Sequence, residues 1–460
     1  MKGKKFTIGC RILNTPCTNS RPTIQSTDTT AIELDAPQDA VDVEDFPEGG
    51  IRAWLVVTGA SLTLFPSFGF LTAIGTLQDY WARHQLRFYS SRDIGWISGL
   101  LLYLWLAAGL IVGPCFDRYG PRWVMLLGSV GFIAMFILLA HSSQYWHFML
   151  SCSIIGGLSG AMLSTSALGT VALWFKDRRG FAQGIAMAGS SLGGLLIPII
   201  LRYAFPQYGY AWSMRILAFM AMFCLALGNI LLRKRSAPAR TTESARPSSR
   251  PAISQQSIIS FSILSDLRVS LFAASVIGLE LVLFLTQVLL PTYATAQTAY
   301  PTDIGFYLLA VCNGASVLGR LGPGYISDKL GQFNTLLAMI LFMQIFTVAL
   351  WLPFGHTSLG SLYAFSALFG FGTGSWMALI PACVGQLCPP GEFGRYYGVI
   401  YFLGSFVTLV SVPIGGQLLE GVSGQAMIGF CCAVLILSMV LFALSRWACL
   451  GRKWVLWEKV

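Results

Sequence analysis

Apolar residues run along this chain in long blocks separated by short polar breaks. A helix crossing about 30 Å of hydrocarbon needs roughly 20 apolar residues. Windows of that length predict helices near 53–76, 95–114, 123–140, 147–173, 181–204 and 213–232. From Arg233 to Asp266 the pattern stops, and the segment SAPARTTESARPSSRP has linker composition with no helical apolar stripe. Six further blocks follow, near 267–295, 304–325, 334–352, 360–385, 396–419 and 425–447. The pattern predicts an all-α membrane protein with 12 transmembrane helices in two six-helix bundles, 51–232 and 267–449. A linker, 233–266, joins them, and tails 1–50 and 450–460 flank them.

Basic residues orient these helices. Arg118 and Arg122 follow the second, Lys176, Arg178 and Arg179 follow the fourth, and the linker carries six bases from Arg233 to Arg250. The other loops hold few, except where Arg83, Arg87 and Arg92 are partly balanced by Asp79 and Asp93. The positive-inside tendency then predicts cytosolic termini and a cytosolic linker. The first 50 residues carry Lys2, Lys4, Lys5 and Arg11 and then an acidic run, with no long apolar core. They read as a disordered cytosolic tail rather than a secretory leader.

The halves repeat. Gly113, Asp117, Arg118 and Gly120 recur as Gly324, Asp328, Lys329 and Gly331 at a constant spacing of 211 residues. Such repeats indicate duplicated bundles with a substrate site between them near the bilayer midplane. Each glycine pair offers close helix approach and a tight turn, and each aspartate can pair with a base or a helix N-terminus. With Arg122, these residues form a candidate latch that holds the halves together in one state and releases them in another. The bland alternative is that the bases only set topology.

Composition narrows the classes. Hydrophobic residues are 55% of the chain and charged ones 11%, against about 25% charged in ordinary globular proteins, so lipid must cover the surface. The net charge of +10 lies in loops and tails and not in a nucleic-acid stripe. The cysteines sit mostly in apolar runs without metal-ligand spacing, and no nucleophile elbow or phosphate loop appears. No enzyme activity, metal or cofactor is expected. The expected partners are the bilayer and a small-molecule substrate, with protons as a candidate co-substrate, and the chain is expected to act as a monomer.

Polar side chains inside apolar runs are the candidate chemistry. Asn313, Ser316 and Arg320 are spaced to share one helical face. A buried guanidinium suits a carboxylate, although Arg320 could equally snorkel or brace Asp328. Glu280 is the one carboxylate deep in an expected helix; it is a proton-coupling candidate or a structural hydrogen bonder. Ser164, Thr165 and Ser166 form a hydroxyl cluster that can meet substrate or bond back to helix carbonyls. Trp105, Trp174 and Trp376 read first as interfacial anchors.

Two segments carry a resemblance: Pro47-Glu48-Gly49-Gly50 with Trp54 before the first helix, and Asp177-Arg178-Arg179-Gly180-Phe181-Ala182-Gln183-Gly184 opening the fifth. With the two loop motifs, residues 47–447 resemble the monocarboxylate-transporter family of the major facilitator fold, and more narrowly its fungal branch. The resemblance implies a carrier of small organic anions, or the riboflavin uptake and secondary-metabolite export also associated with that branch. It places Ser164 and Thr165 among cavity-lining residues. Of the charged trio of the animal members it retains only Arg320, with Ser316 where an aspartate would stand and Thr72 near the position of a lysine. A less charged cavity favours a bulkier solute over a small hydrated carboxylate. Export of a metabolite across the plasma membrane leads, and nutrient import or solute sensing without transport are the alternatives.

Overall fold

The computed structural model describes residues 49–232, 261–298, 304–389, 391–453, 455 and 458–459. The expected tail 1–50 and linker 233–266 therefore lie almost wholly outside the described residues. Among the described residues, eleven helices are long and apolar enough to cross a membrane. They are α1 (Gly50–Arg83), α2 (Arg92–Tyr119), α3 (Pro121–Leu139), α4 (Tyr145–Trp174), the segment Arg179–Leu231, α7 (Leu267–Thr298), α8 (Ile304–Leu330), α9 (Gln332–Phe354), α10 (Leu359–Leu387), α11 (Phe393–Gly421) and α12 (Gly424–Cys449).

The segment Arg179–Leu231 has 53 residues and at 1.5 Å per residue would measure about 80 Å, far more than one crossing. Gly209 divides it, with φ 72° and ψ 175° inside an otherwise helical run. We label 179–208 α5 and 210–231 α6. With that division the described residues hold twelve helices of crossing length. The reversal comes from one left-handed glycine instead of the polar loop that the pattern implied between 204 and 213.

Several helices extend past their apolar windows by a turn or more, because capped polar turns continue them beyond the hydrocarbon. Ser90 accepts from the Asp93 N–H while the Asp93 carboxylate accepts from the Ser90 N–H, which fixes the start of α2. Small residues bring helices within each half close together. The Ser375 hydroxyl donates to the Gly319 carbonyl and Ser366 to that of Leu308, joining α10 to α8, while Ser153 donates to the Ile97 carbonyl, joining α4 to α2. Across the halves, α2 packs on α11 and α5 packs on α8. Those two seams position everything that follows.

Candidate functional site

The seams meet at one end of the molecule in a reciprocal arrangement. Asp117, near the end of α2, accepts hydrogen bonds from the backbone N–H groups of Gly394 (2.9 Å) and Arg395 (2.8 Å) at the start of α11. Asp328, near the end of α8, accepts from Gly180 (2.8 Å) and Phe181 (3.1 Å) at the start of α5. Each carboxylate caps a helix of the other half. There it satisfies two of the N–H groups that a helix leaves unpaired and meets the positive end of the helix dipole. The glycines make room: a Cβ on Gly113 would overlap the Gly394 carbonyl, and one on Gly180 would fall 2.8 Å from the Gly324 carbonyl oxygen. Gly120 and Gly331 take positive φ, 80° and 95°, and turn the chain into α3 and α9.

The bases of the two motifs stand outside these contacts. Arg118 and Arg122 face outward, with the Arg118 guanidinium 5.6 Å from the Tyr119 ring. The Lys329 ammonium lies 4.5 Å from the Tyr325 ring. Backbone N–H groups are among the partners of both aspartates, and the sequence did not single those out. A signal existed: Gly180 and Gly184 opening α5 match Gly394 and Gly398 opening α11, a second repeat spaced by 214 residues. The C-terminal segment also returns to this end, where the Lys459 ammonium donates to the Asp328 carbonyl and Arg446 to the carbonyls of Val455 and Glu458.

Farther along the seams a narrow cavity opens between the halves. The first half contributes Ser164 and Thr165 of α4, Trp105 of α2 and Phe68 of α1; the second contributes Glu280 and Phe284 of α7, Met377 of α10, and Tyr397 and Tyr401 of α11. Room inside is little more than a water molecule needs. The halves also touch beyond the cavity, where Arg202 lies 5.1 Å from the Phe306 ring and Tyr103 meets Phe406 at 5.7 Å. The state is nearly occluded.

The residues singled out from sequence divide into two groups. Glu280, Ser164 and Thr165 converge on the cavity. The Ser164 hydroxyl donates to the Ala161 carbonyl. No hydrogen bond or ion pair engages the Glu280 carboxylate or the Thr165 hydroxyl among the described residues. Arg320, Ser316, Asn313 and Thr72 instead meet at the α5–α8 seam. The buried Arg320 guanidinium donates to the Met187 carbonyl and the Ser190 hydroxyl, and Ser316 pairs with Ser191. Asn313 reaches the Gly194 carbonyl at 3.5 Å, and a Cβ on Gly194 would run into the Thr72 hydroxyl. The expected polar face of α8 is thus real, and it faces α5. Arg320 is absent from the described cavity lining and makes no ion pair among the described residues.

Because Ser190 also donates to the Met187 carbonyl (2.9 Å), removal of the guanidinium leaves that acceptor satisfied. Arg320→Met is accordingly expected to fold and to shift Tm by only a few degrees, since a buried charge can often be replaced by an apolar side chain of similar volume. Thermal unfolding in detergent checks this, and failure of the variant to fold would show that the seam needs the charge.

The aromatic walls of the cavity were missed from sequence, and the tryptophans need correction. Trp105 and Trp376 are 2% and 1% exposed; they lie in helix middles and not at an interface. Trp105 packs at a tilt against Phe68 and edge-on against Phe132, and its indole N–H has no partner among the described residues.

Similar proteins fit this geometry. A family model described as Major Facilitator Superfamily matches residues 56–405, with a second match over 324–453. The riboflavin transporter MCH5 of Saccharomyces cerevisiae is 35% identical over 432 residues, covering 90% of this chain and 82% of its own length. MFS-type transporter 1 of an Ophiocordyceps species is 34% identical, with 90% of each chain covered. The aspyridones efflux protein apdF of Emericella nidulans is 33% identical, covering 84% of this chain and 76% of its own. Among solved structures, the human organic anion transporter MFSD10 superposes with a TM-score of 0.63 at 17% identity, covering 86% of this chain and all of that one; that likeness concerns the fold.

Proposed function

We propose that this chain, which belongs to the major facilitator superfamily and is a multi-pass membrane transporter, exports an amphipathic organic metabolite across the plasma membrane by alternating access. The carrying observation is the reciprocal capping of Asp117 and Asp328 across two bundles that share one cavity. Residues 51–232 and 267–449 are the rocking halves, and 233–266 is the cytosolic linker between them. The bases Arg118, Arg122, Lys176 and Arg178 in the loops at the latched end support a cytosolic position for that end, both termini and the linker. On that orientation the described state is closed to the cytosol. One monomer holds the complete cavity. Glu280 is the candidate to carry a coupling proton, since it is the one carboxylate among the described lining residues.

Relatives named as efflux proteins favour export, and the relative named for riboflavin supports import as a second reading. Metabolite profiling of medium and cell extract, from cells with and without the chain, separates these. Export predicts a compound that moves from extract to medium on expression. Uptake of labelled riboflavin with no such movement would favour import, and no redistribution of any solute would remove the carrier reading.

A further inference from the structure

The cavity differs from what an organic anion needs. Among the described lining residues the only acid or base is Glu280, and the guanidinium that would balance an anion, Arg320, is spent on the α5–α8 seam. The polar groups of the described lining are the Glu280 carboxyl, the Ser164 and Thr165 hydroxyls, the Tyr397 and Tyr401 hydroxyls and the Trp105 indole N–H, and of these Glu280 alone is a carboxyl. Around them stand aromatic rings tilted against one another: the Phe68 and Trp105 centroids are 5.3 Å apart on one side, and those of Tyr397 and Tyr401 are 4.4 Å apart on the other, with Phe284 one turn along α7 from Glu280. A carboxyl among aromatic faces accepts a hydrogen bond from a donor and attracts a cation, while the ring faces stack on planar groups. An anion placed there meets like charge in a low-dielectric space, or must bring a proton with it.

We propose that this site takes a ring-bearing amphiphile that is uncharged or carries a protonated amine, with its donor group on Glu280 and its ring between the aromatic walls, and that it discriminates against organic anions. This assignment rests on the cavity being the transport site. The α5–α8 seam gives it a physical basis, since it uses the buried Arg320 for packing and leaves Glu280 of α7 without a base in the described lining.

Three probes with one ring test it: tritiated 1-naphthylmethylamine, 1-naphthalenemethanol and 1-naphthoate, with saturable binding to the purified full chain measured by scintillation proximity. The amine and the alcohol are expected to bind, and the naphthoate at least about tenfold more weakly than either, as like-charge juxtaposition requires. Glu280→Gln is expected to remove the advantage of the amine over the alcohol. Naphthoate binding as tightly as the amine, an unchanged order in Glu280→Gln, or no saturable binding of any probe would each overturn the assignment. The order on the unmodified chain decides even where Glu280→Gln does not fold. The same probes in proteoliposomes separate the two claims. The expected binding order without transfer across the bilayer sinks the carrier reading and leaves the site. Naphthoate carried faster than the amine sinks the site and leaves the carrier.

Discussion

The double variant Asp117→Asn, Asp328→Asn is expected to open the latched end of the molecule and to accelerate alkylation of Cys388 at least about tenfold, the population shift being the larger quantity behind it. Each aspartate accepts two backbone N–H groups from a helix of the opposite half. Hydrogen bonds to a charged group contribute roughly 1.5–3 kcal/mol apiece. An amide keeps one acceptor oxygen and loses the charge, so a loss of about 2 kcal/mol per site is a conservative figure. The two sites together then move the equilibrium between closed and open ends by roughly a thousandfold. Cys388 follows α10 at this end and is half-buried. Burial pushes its thiol up to about 12, against a smaller opposing pull from Arg179. It therefore reacts slowly while the end is closed, because the thiolate is the nucleophile. Opening admits water, lowers the pKa towards its ordinary value and raises the thiolate fraction. Maleimide labelling mapped by mass spectrometry reads this site by site, and an unchanged Cys388 rate in the double variant would contradict the latch.

A second large effect is expected from a single methyl group. Gly113→Ala places a Cβ onto the Gly394 carbonyl, and a side chain on Gly394 would in turn strike the Gly113 carbonyl. Both obstacles are backbone, which cannot rotate away, so α2 and α11 must separate at a cost of about 1–3 kcal/mol. Separation there pulls Asp117 off its two N–H donors. Gly113→Ala is expected to reproduce the fast Cys388 alkylation with the aspartates intact. Gly404→Ala on the same α11, where nothing lies within 4 Å, is expected to leave the rate alone. Equal rates in the two alanine variants would show that the close approach does not hold the end shut.

Much of this architecture was legible because lipid imposes a coarse rule: about 20 apolar residues per crossing. Twelve crossings and the duplicated halves follow from it and from the repeat of Gly113 to Gly120 as Gly324 to Gly331. What resisted was anything set by rotation about a helix axis or by groups that every residue carries. Backbone N–H groups donate to Asp117 and Asp328, no residue type marks them, and only the glycine spacing at Gly180 and Gly394 hints at where they lie. Arg320 was visible as a buried base, but its helix face serves a seam or a cavity equally well until α5 is in place. Trp105 and Trp376 lie near the middles of the windows 95–114 and 360–385 as well as of α2 and α10, so their position along the chain already argued against anchors at helix ends. Tyr397 and Tyr401 share an α11 face one turn apart and became part of a site only when α7 brought Glu280 beside them.

The rocking of two bundles about the shared cavity is tested most directly by two distances in one sample. Genetically encoded spin labels at Arg122 and Pro389 report the latched end, and labels at Ser143 and Thr357 the far end; the side chains at all four positions face outward. Pulsed dipolar spectroscopy on the Asp117→Asn, Asp328→Asn chain against the unmodified one is expected to show the first distance lengthening while the second does not. Both distances growing together, or neither moving, would contradict alternating access through this cavity.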